Sequence, residues 1–113
     1  MSFIASNQDR IVLSSTTVAE VAYFLGERST ARAEAQFLRD VARAAYAVAD
    51  PVPADYLRAA DLVEQYADFP LGTVDALIVA IAERLDVTTI FTLDRRHFGA
   101  VKPRHCDSFT LVP

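Results

Sequence analysis

The run Pro70-Leu71-Gly72-Thr73-Val74-Asp75-Ala76-Leu77-Ile78-Val79-Ala80-Ile81-Ala82-Glu83-Arg84-Leu85 reads as an apolar helix from Thr73 to Leu85 with one acid near its start. From Val74 to Ala82, Asp75 is the one interruption of an apolar surface, and no polar face appears before Glu83. A helix that is apolar all round belongs in a core. An unpaired charge there is costly, so Asp75 needs a counterpart. The free N–H groups and positive dipole end of the helix supply part of one, and Thr73 is placed to cap the same turn. A metal cation would supply more, with other acids of the chain as its further ligands.

At 113 residues the chain has the size of one domain. Hydrophobic residues make up 52% of it, enough for a packed core. The longest apolar run, Ala76 to Ala82, is too short to span a bilayer, so no membrane association is expected. Met1-Ser2-Phe3-Ile4 lacks the basic flank and apolar stretch of a signal peptide. The single cysteine, Cys106, excludes an internal disulfide and a cysteine metal cluster. Together these features point to a cytoplasmic protein. The net charge of −4 argues against coating nucleic acid through bulk positive charge. Any such contact must use a local patch, and Arg95, Arg96, His97, Lys102, Arg104 and His105 form one in sequence.

Upstream of the apolar helix, Ile11-Val12-Leu13 reads as a short buried strand. Ser14 to Thr17 then offers helix caps, with Glu20 three residues after Thr17 as in a capping box. A helix from Thr17 to about Glu27 follows, with Val18, Val21, Ala22 and Leu25 on one face. Ser29 or Thr30 can cap the next, about Ala31 to Ala45, with Ala35, Leu38, Ala42 and Ala45 aligned. Tyr46 to Ala49 reads as a strand. Pro51 and Pro53 suit a helix start, and the helix to about Ala67 places Leu57, Ala60, Val63 and Tyr66 near one face. Downstream, Thr88 to Leu93 is the clearest strand, β-branched and aromatic. Arg95 to Gly99 can form a helical turn, and Ser108 to Val112 a last strand. Alternating strands and helices predict an α/β domain with a mainly parallel sheet.

In open α/β sheets, sites gather at the C-terminal ends of strands. Three acids fall in or near that zone. Asp94 follows the strand ending at Leu93, Asp75 opens the apolar helix, and Glu20 lies one turn into the helix after Ile11-Val12-Leu13. An oxygen-only set selects a hard cation, Mg²⁺ or Mn²⁺. Such an ion can activate water and offset the charge that develops on a phosphodiester under attack. Each acid also has a plainer reading: Glu20 as a capping carboxylate, Asp75 as a dipole-satisfying acid, Asp94 as a turn former. His97 and His105 read as surface or packing residues and Cys106 as a bystander.

Three blocks resemble a known family. Thr17-Val18-Ala19-Glu20-Val21-Ala22-Tyr23-Phe24-Leu25, Tyr66-Ala67-Asp68-Phe69-Pro70-Leu71-Gly72-Thr73-Val74-Asp75-Ala76 and Thr92-Leu93-Asp94-Arg95-Arg96-His97-Phe98 look, in that order, like the later blocks of a PIN-domain protein. The nearest likeness is to the VapC toxins of bacterial toxin–antitoxin pairs, and it runs from about Ile11 to the C-terminus. The resemblance implies a three-layer α/β/α fold and an Mg²⁺- or Mn²⁺-dependent endoribonuclease. It implies that Glu20, Asp75 and Asp94 are the second, third and fourth acids of a catalytic, metal-binding carboxylate set. Asp68 matches a further position that is often acidic, and Arg95 and Arg96 suit contacts to RNA phosphates. A homodimer and a cognate VapB-type antitoxin are the implied partners.

One departure is large. The family begins with a central strand carrying its first acid, followed by a helix, and residues 1–113 lack that block; Asp9 is not set in an apolar strand. The expectation is a single PIN-like domain, 1–113, truncated at its N-terminus, in which two strands are left with unpaired backbone groups. Three explanations are open: a start internal to a longer reading frame, a segment cut away, or a short protein whose gap another subunit covers. The first two are favoured, and the DNA upstream of Met1 would decide. The competing function is a catalytically inactive module that dimerises or binds an antitoxin. A phosphoacceptor receiver, suggested by Lys102-Pro103, fails because Asp94 and Lys102 are too close in sequence. Which RNA would be cut is not legible.

Overall fold

A computed structural model describes residues 11–13, 15–43, 47–92 and 95–112. In chain order these form β1 (Ile11–Leu13), α1 (Ser15–Arg28), α2 (Ala31–Ala42), β2 (Ala47–Val48), α3 (Pro53–Gln65), α4 (Thr73–Leu85), β3 (Thr89–Phe91), α5 (Arg95–Ala100) and β4 (Thr110–Val112). The four strands form one sheet in the order β2-β1-β3-β4, and every pairing is parallel. Parallel neighbours need crossovers, and the helices between the strands supply them.

The layers follow from the pleat of β3. Successive side chains of a strand point to opposite faces. Ile90 enters a core built from Ala59 and Leu62 of α3, Ile78, Val79 and Ile81 of α4, and Phe98 of α5. Phe91 enters a second core with Val21 and Ala22 of α1 and Phe37 of α2. Helices therefore cover both faces of the sheet, the three-layer α/β/α arrangement. On α4, Ala76 and every residue from Ile78 to Ala82 are buried. Each large side chain there contributes about 1.5–3 kcal/mol on leaving water.

Several expectations need correction. Helix α1 begins at Ser15, so Thr17 is helical and buried and is not its cap. The Thr17–Glu20 capping box is therefore not formed, and Glu20 sits in the second turn. Helix α4 is capped by Gly72, with Thr73 its first helical residue. Thr30 does cap α2, its hydroxyl accepting the Ala33 N–H at 3.1 Å. Helix α2 ends at Ala42, with Arg43 as its C-cap; the expected extension to Ala45 and the strand start at Tyr46 lie outside the described residues. The predicted α2 face is also misplaced. Leu38 is 45% exposed, whereas Phe37 is buried against Phe91, ring centroids 6.1 Å apart.

The α3 face is displaced in the same way. Leu57 is 74% exposed and Val63 is exposed, while Asp55, Ala59 and Leu62 are buried. Asp55 fits this rotation: its carboxylate is held inside by Arg84 of α4 and the Val52 N–H. The expected pair of unpaired strands is likewise not seen. β1 and β3 pair directly, Ile11 with Thr89 and Val12 with Ile90, so the ladder runs unbroken from β2 to β4.

Candidate active site

Beyond the carboxyl ends of β1 and β3 lies a cleft of about 290 Å³. Its walls come from distant parts of the chain: Thr17, Glu20 and Val21 on α1, Asp75 and Ile78 on α4, Phe91 and Thr92 at the end of β3, and Phe98 on α5. The local sequence explains each placement. Val21 and Ala22 bury one face of α1, which leaves Glu20 at its exposed margin. The apolar body of α4 drives it into the core and carries Asp75, in the first turn, to the cleft mouth. There the dipole and free N–H groups of the helix favour an anion.

The structure thus places Glu20 and Asp75 on the walls of one cleft. Asp94 lies outside the described residues. Asp68 is exposed in the turn after α3 and does not line the cleft. Arg95 and Arg96 are exposed at the start of α5. Among the described residues no group of three or more His, Cys, Asp or Glu could hold a metal ion. The donors that are described, two carboxylates and the hydroxyls of Thr17 and Thr92, are all oxygen. Oxygen ligands fit Mg²⁺ or Mn²⁺ and not a soft metal.

Sequence reasoning missed the two threonines at this cleft, although both fall inside the quoted blocks. It also missed a second charged cluster at the opposite end of α4. Arg58 donates to Glu83 at 2.7 and 3.0 Å, and Arg84 donates to both oxygens of Asp55 at 3.1 Å. The Arg104 N–H adds a bond to Glu83 at 2.9 Å. Burial opposes ionisation of Glu83, but the Arg58 guanidinium and the Arg104 N–H outweigh it and hold the carboxyl below its usual range. The bond to Glu83 in turn holds Arg58 above its usual value. Burial, with Asp107 nearby, pushes the Cys106 thiol up, so the thiolate is disfavoured. This cluster clamps α3 to α4 and fixes the helix that carries Asp75.

The PIN domain family model matches residues 2–102, starting ahead of Ile11, where the resemblance of the quoted blocks begins. Ribonuclease VapC26 of Mycobacterium tuberculosis (strain ATCC 25618 / H37Rv) is 39% identical over 110 residues, which are 97% of this chain and 82% of that protein. Among solved structures, VapC20 of Mycobacterium tuberculosis, described as a sarcin–ricin loop cleaving toxin, is similar with a TM-score of 0.66. That likeness covers 85% of this chain and 74% of VapC20 at 17% identity, and it speaks for the fold.

Proposed function

Because the chain belongs to the PIN-domain family, in its VapC group, we propose that it is a metal-dependent endoribonuclease acting as the toxin of a VapBC-type pair. The observation that carries this reading is the meeting of Glu20 and Asp75 on one cleft at the carboxyl edge of the sheet. Glu20, Asp75 and Asp94 would hold Mg²⁺ or Mn²⁺, which when bound supplies an activated water and a counter-charge for the phosphodiester. Val21, Ile78, Phe91 and Phe98 form apolar walls, and a drier site strengthens attraction between the carboxylates and a cation. Arg95 and Arg96 steer the phosphates of the strand toward the cleft. Asp68 acts outside the ligand set. The domain is read as 1–113.

The partners implied are RNA, a second copy of the chain and a VapB-type antitoxin. Exposed Tyr23 and Phe24 on α1, and Tyr56, Leu57 and Val63 on α3, give two apolar surfaces that such partners could cover. No described helix is long and apolar enough to cross a membrane; a cytoplasmic location stays part of the proposal. The test is cleavage of RNA with Mn²⁺ by the chain and by Glu20→Gln and Asp75→Asn. Loss of cleavage in both, with circular dichroism unchanged, is expected, and full activity in both would sink the assignment. The inactive-module reading predicts no cleavage by the parent chain and retained capture of an antitoxin.

A further inference from the structure

Arg28 and Arg96 each lie over an aromatic ring, and Arg96 is two residues from Phe98 of the cleft wall. Arg58 and Arg84 each meet a carboxylate. Arg96 meets none among the described residues, in a chain with 15 acids and 11 lysines and arginines. Its guanidinium lies instead over the ring of Phe69, Cζ 5.1 Å from the centroid. Phe69 in turn packs on the His97 ring, centroids 4.8 Å apart and planes inclined at 38°. Arg96 is exposed, while Phe69 and His97 are half-buried. Packing accounts for the two rings, and a cation–π contact keeps the exposed Arg96 guanidinium beside them.

The position of this stack matters. Phe69 is in the loop that runs into α4 and hence to Asp75, and Arg96 and His97 are on α5, which follows Thr92 and places Phe98 in the cleft wall. The stack therefore joins two of the segments that line the cleft. Single-stranded RNA is gripped by laying unstacked bases on aromatic rings or on guanidinium planes. The contact with Phe69 restrains the Arg96 side chain before a ligand arrives, which reduces the entropy lost on binding.

We propose that Arg96, Phe69 and His97 form a nucleobase-stacking platform beside the carboxylate cleft, with a base of the single-stranded RNA substrate laid on the outer face of the Arg96 guanidinium. This rests on the ribonuclease reading above. It differs from a phosphate contact in what it requires of residue 96: a plane, and not merely a charge.

The test is fluorescence anisotropy with a short single-stranded RNA in EDTA, so that binding is read without cleavage, beside the same strand made of abasic nucleotides. Phe69→Leu and Arg96→Lys should each weaken binding of the intact RNA on the order of 10–100-fold, the range expected for loss of one base stack. Phe69→Tyr, which keeps the ring, should restore it, and neither weakening variant should change binding of the abasic strand. Wild-type affinity in Arg96→Lys overturns the platform and leaves a charge contact; equal binding of intact and abasic RNA by the parent chain also overturns it. If the parent chain cleaves RNA with Mn²⁺ while these variants bind normally, only the platform falls. If the parent neither binds nor cleaves RNA, the ribonuclease reading falls and takes the platform with it.

Discussion

Replacing Asp55 with Ala should destabilise the protein by about 3 kcal/mol without touching the cleft. Asp55 is 2% exposed. Its carboxylate accepts from Arg84 Nε on both oxygens at 3.1 Å and from the Val52 N–H at 2.9 Å. Breaking a fully buried ion pair costs about 3–5 kcal/mol. Arg84 keeps 34% of its side chain in water, so the guanidinium left behind is partly rehydrated and the loss falls to about 2 kcal/mol. Uncapping the Val52 N–H at the start of α3 adds about 1 kcal/mol. For a domain of this size the total lowers Tm by roughly 10–15 °C. Urea unfolding followed by circular dichroism measures it directly, and the slope should not change. Asp55→Asn keeps an acceptor for the cap and should lose about 1 kcal/mol less. A loss below about 1 kcal/mol in Asp55→Ala would refute the clamp.

Other consequences are equally open to measurement. Glu83 titrates below the ordinary carboxylate value when folded. Its contribution to stability is therefore complete above the unfolded pKa of about 4.3 and is lost as pH falls through the lower folded value. Glu83→Gln should be less stable at neutral pH and flatter on the acid side, seen as a smaller fall in Tm below about pH 4.3. Asp86 ends α4 in the left-handed conformation, φ 56°, a geometry that glycine adopts without strain. Asp86→Gly should raise stability by about 0.5–1 kcal/mol in the same urea titration. Mn²⁺ at about 100 times its Kd should stabilise the parent chain by about 2.7 kcal/mol in a thermal-shift assay; Glu20→Gln and Asp75→Asn should blunt that gain, and an unchanged gain in both would exclude them as ligands.

What the sequence revealed, and what it hid, separates by the range of the interaction involved. The limits of α4 were legible because Gly72, an apolar body and Glu83-Arg84 are local signals, and β3 because β-branched and aromatic residues dominate it. The orientation of α3 was not legible. Leu57 and Val63 looked like core residues, but Asp55 is held inward by Arg84, which is distant in sequence, and no period-counting can anticipate a buried ion pair. The α2 face failed for a related reason: Phe37 outweighs Leu38 and Ala42 because it finds Phe91 on another element. At the cleft, Asp75 could be picked as an acid at a helix start and Glu20 as one a turn further in. That both face one cavity depends on α1 and α4 flanking the ends of the same sheet, a tertiary fact.

The direct pairing of Ile11 with Thr89 has a kinetic consequence. The α1–α2 and α3–α4 hairpins join neighbours in sequence and can form early, whereas β3 must find β1 across most of the chain. Closing so long a loop is slow relative to local helix pairing. Glu20 rides on one hairpin and Asp75 on the other, so the wall between them is completed only when β3 docks. By that reasoning the cleft is assembled late in folding, after each helical pair has formed.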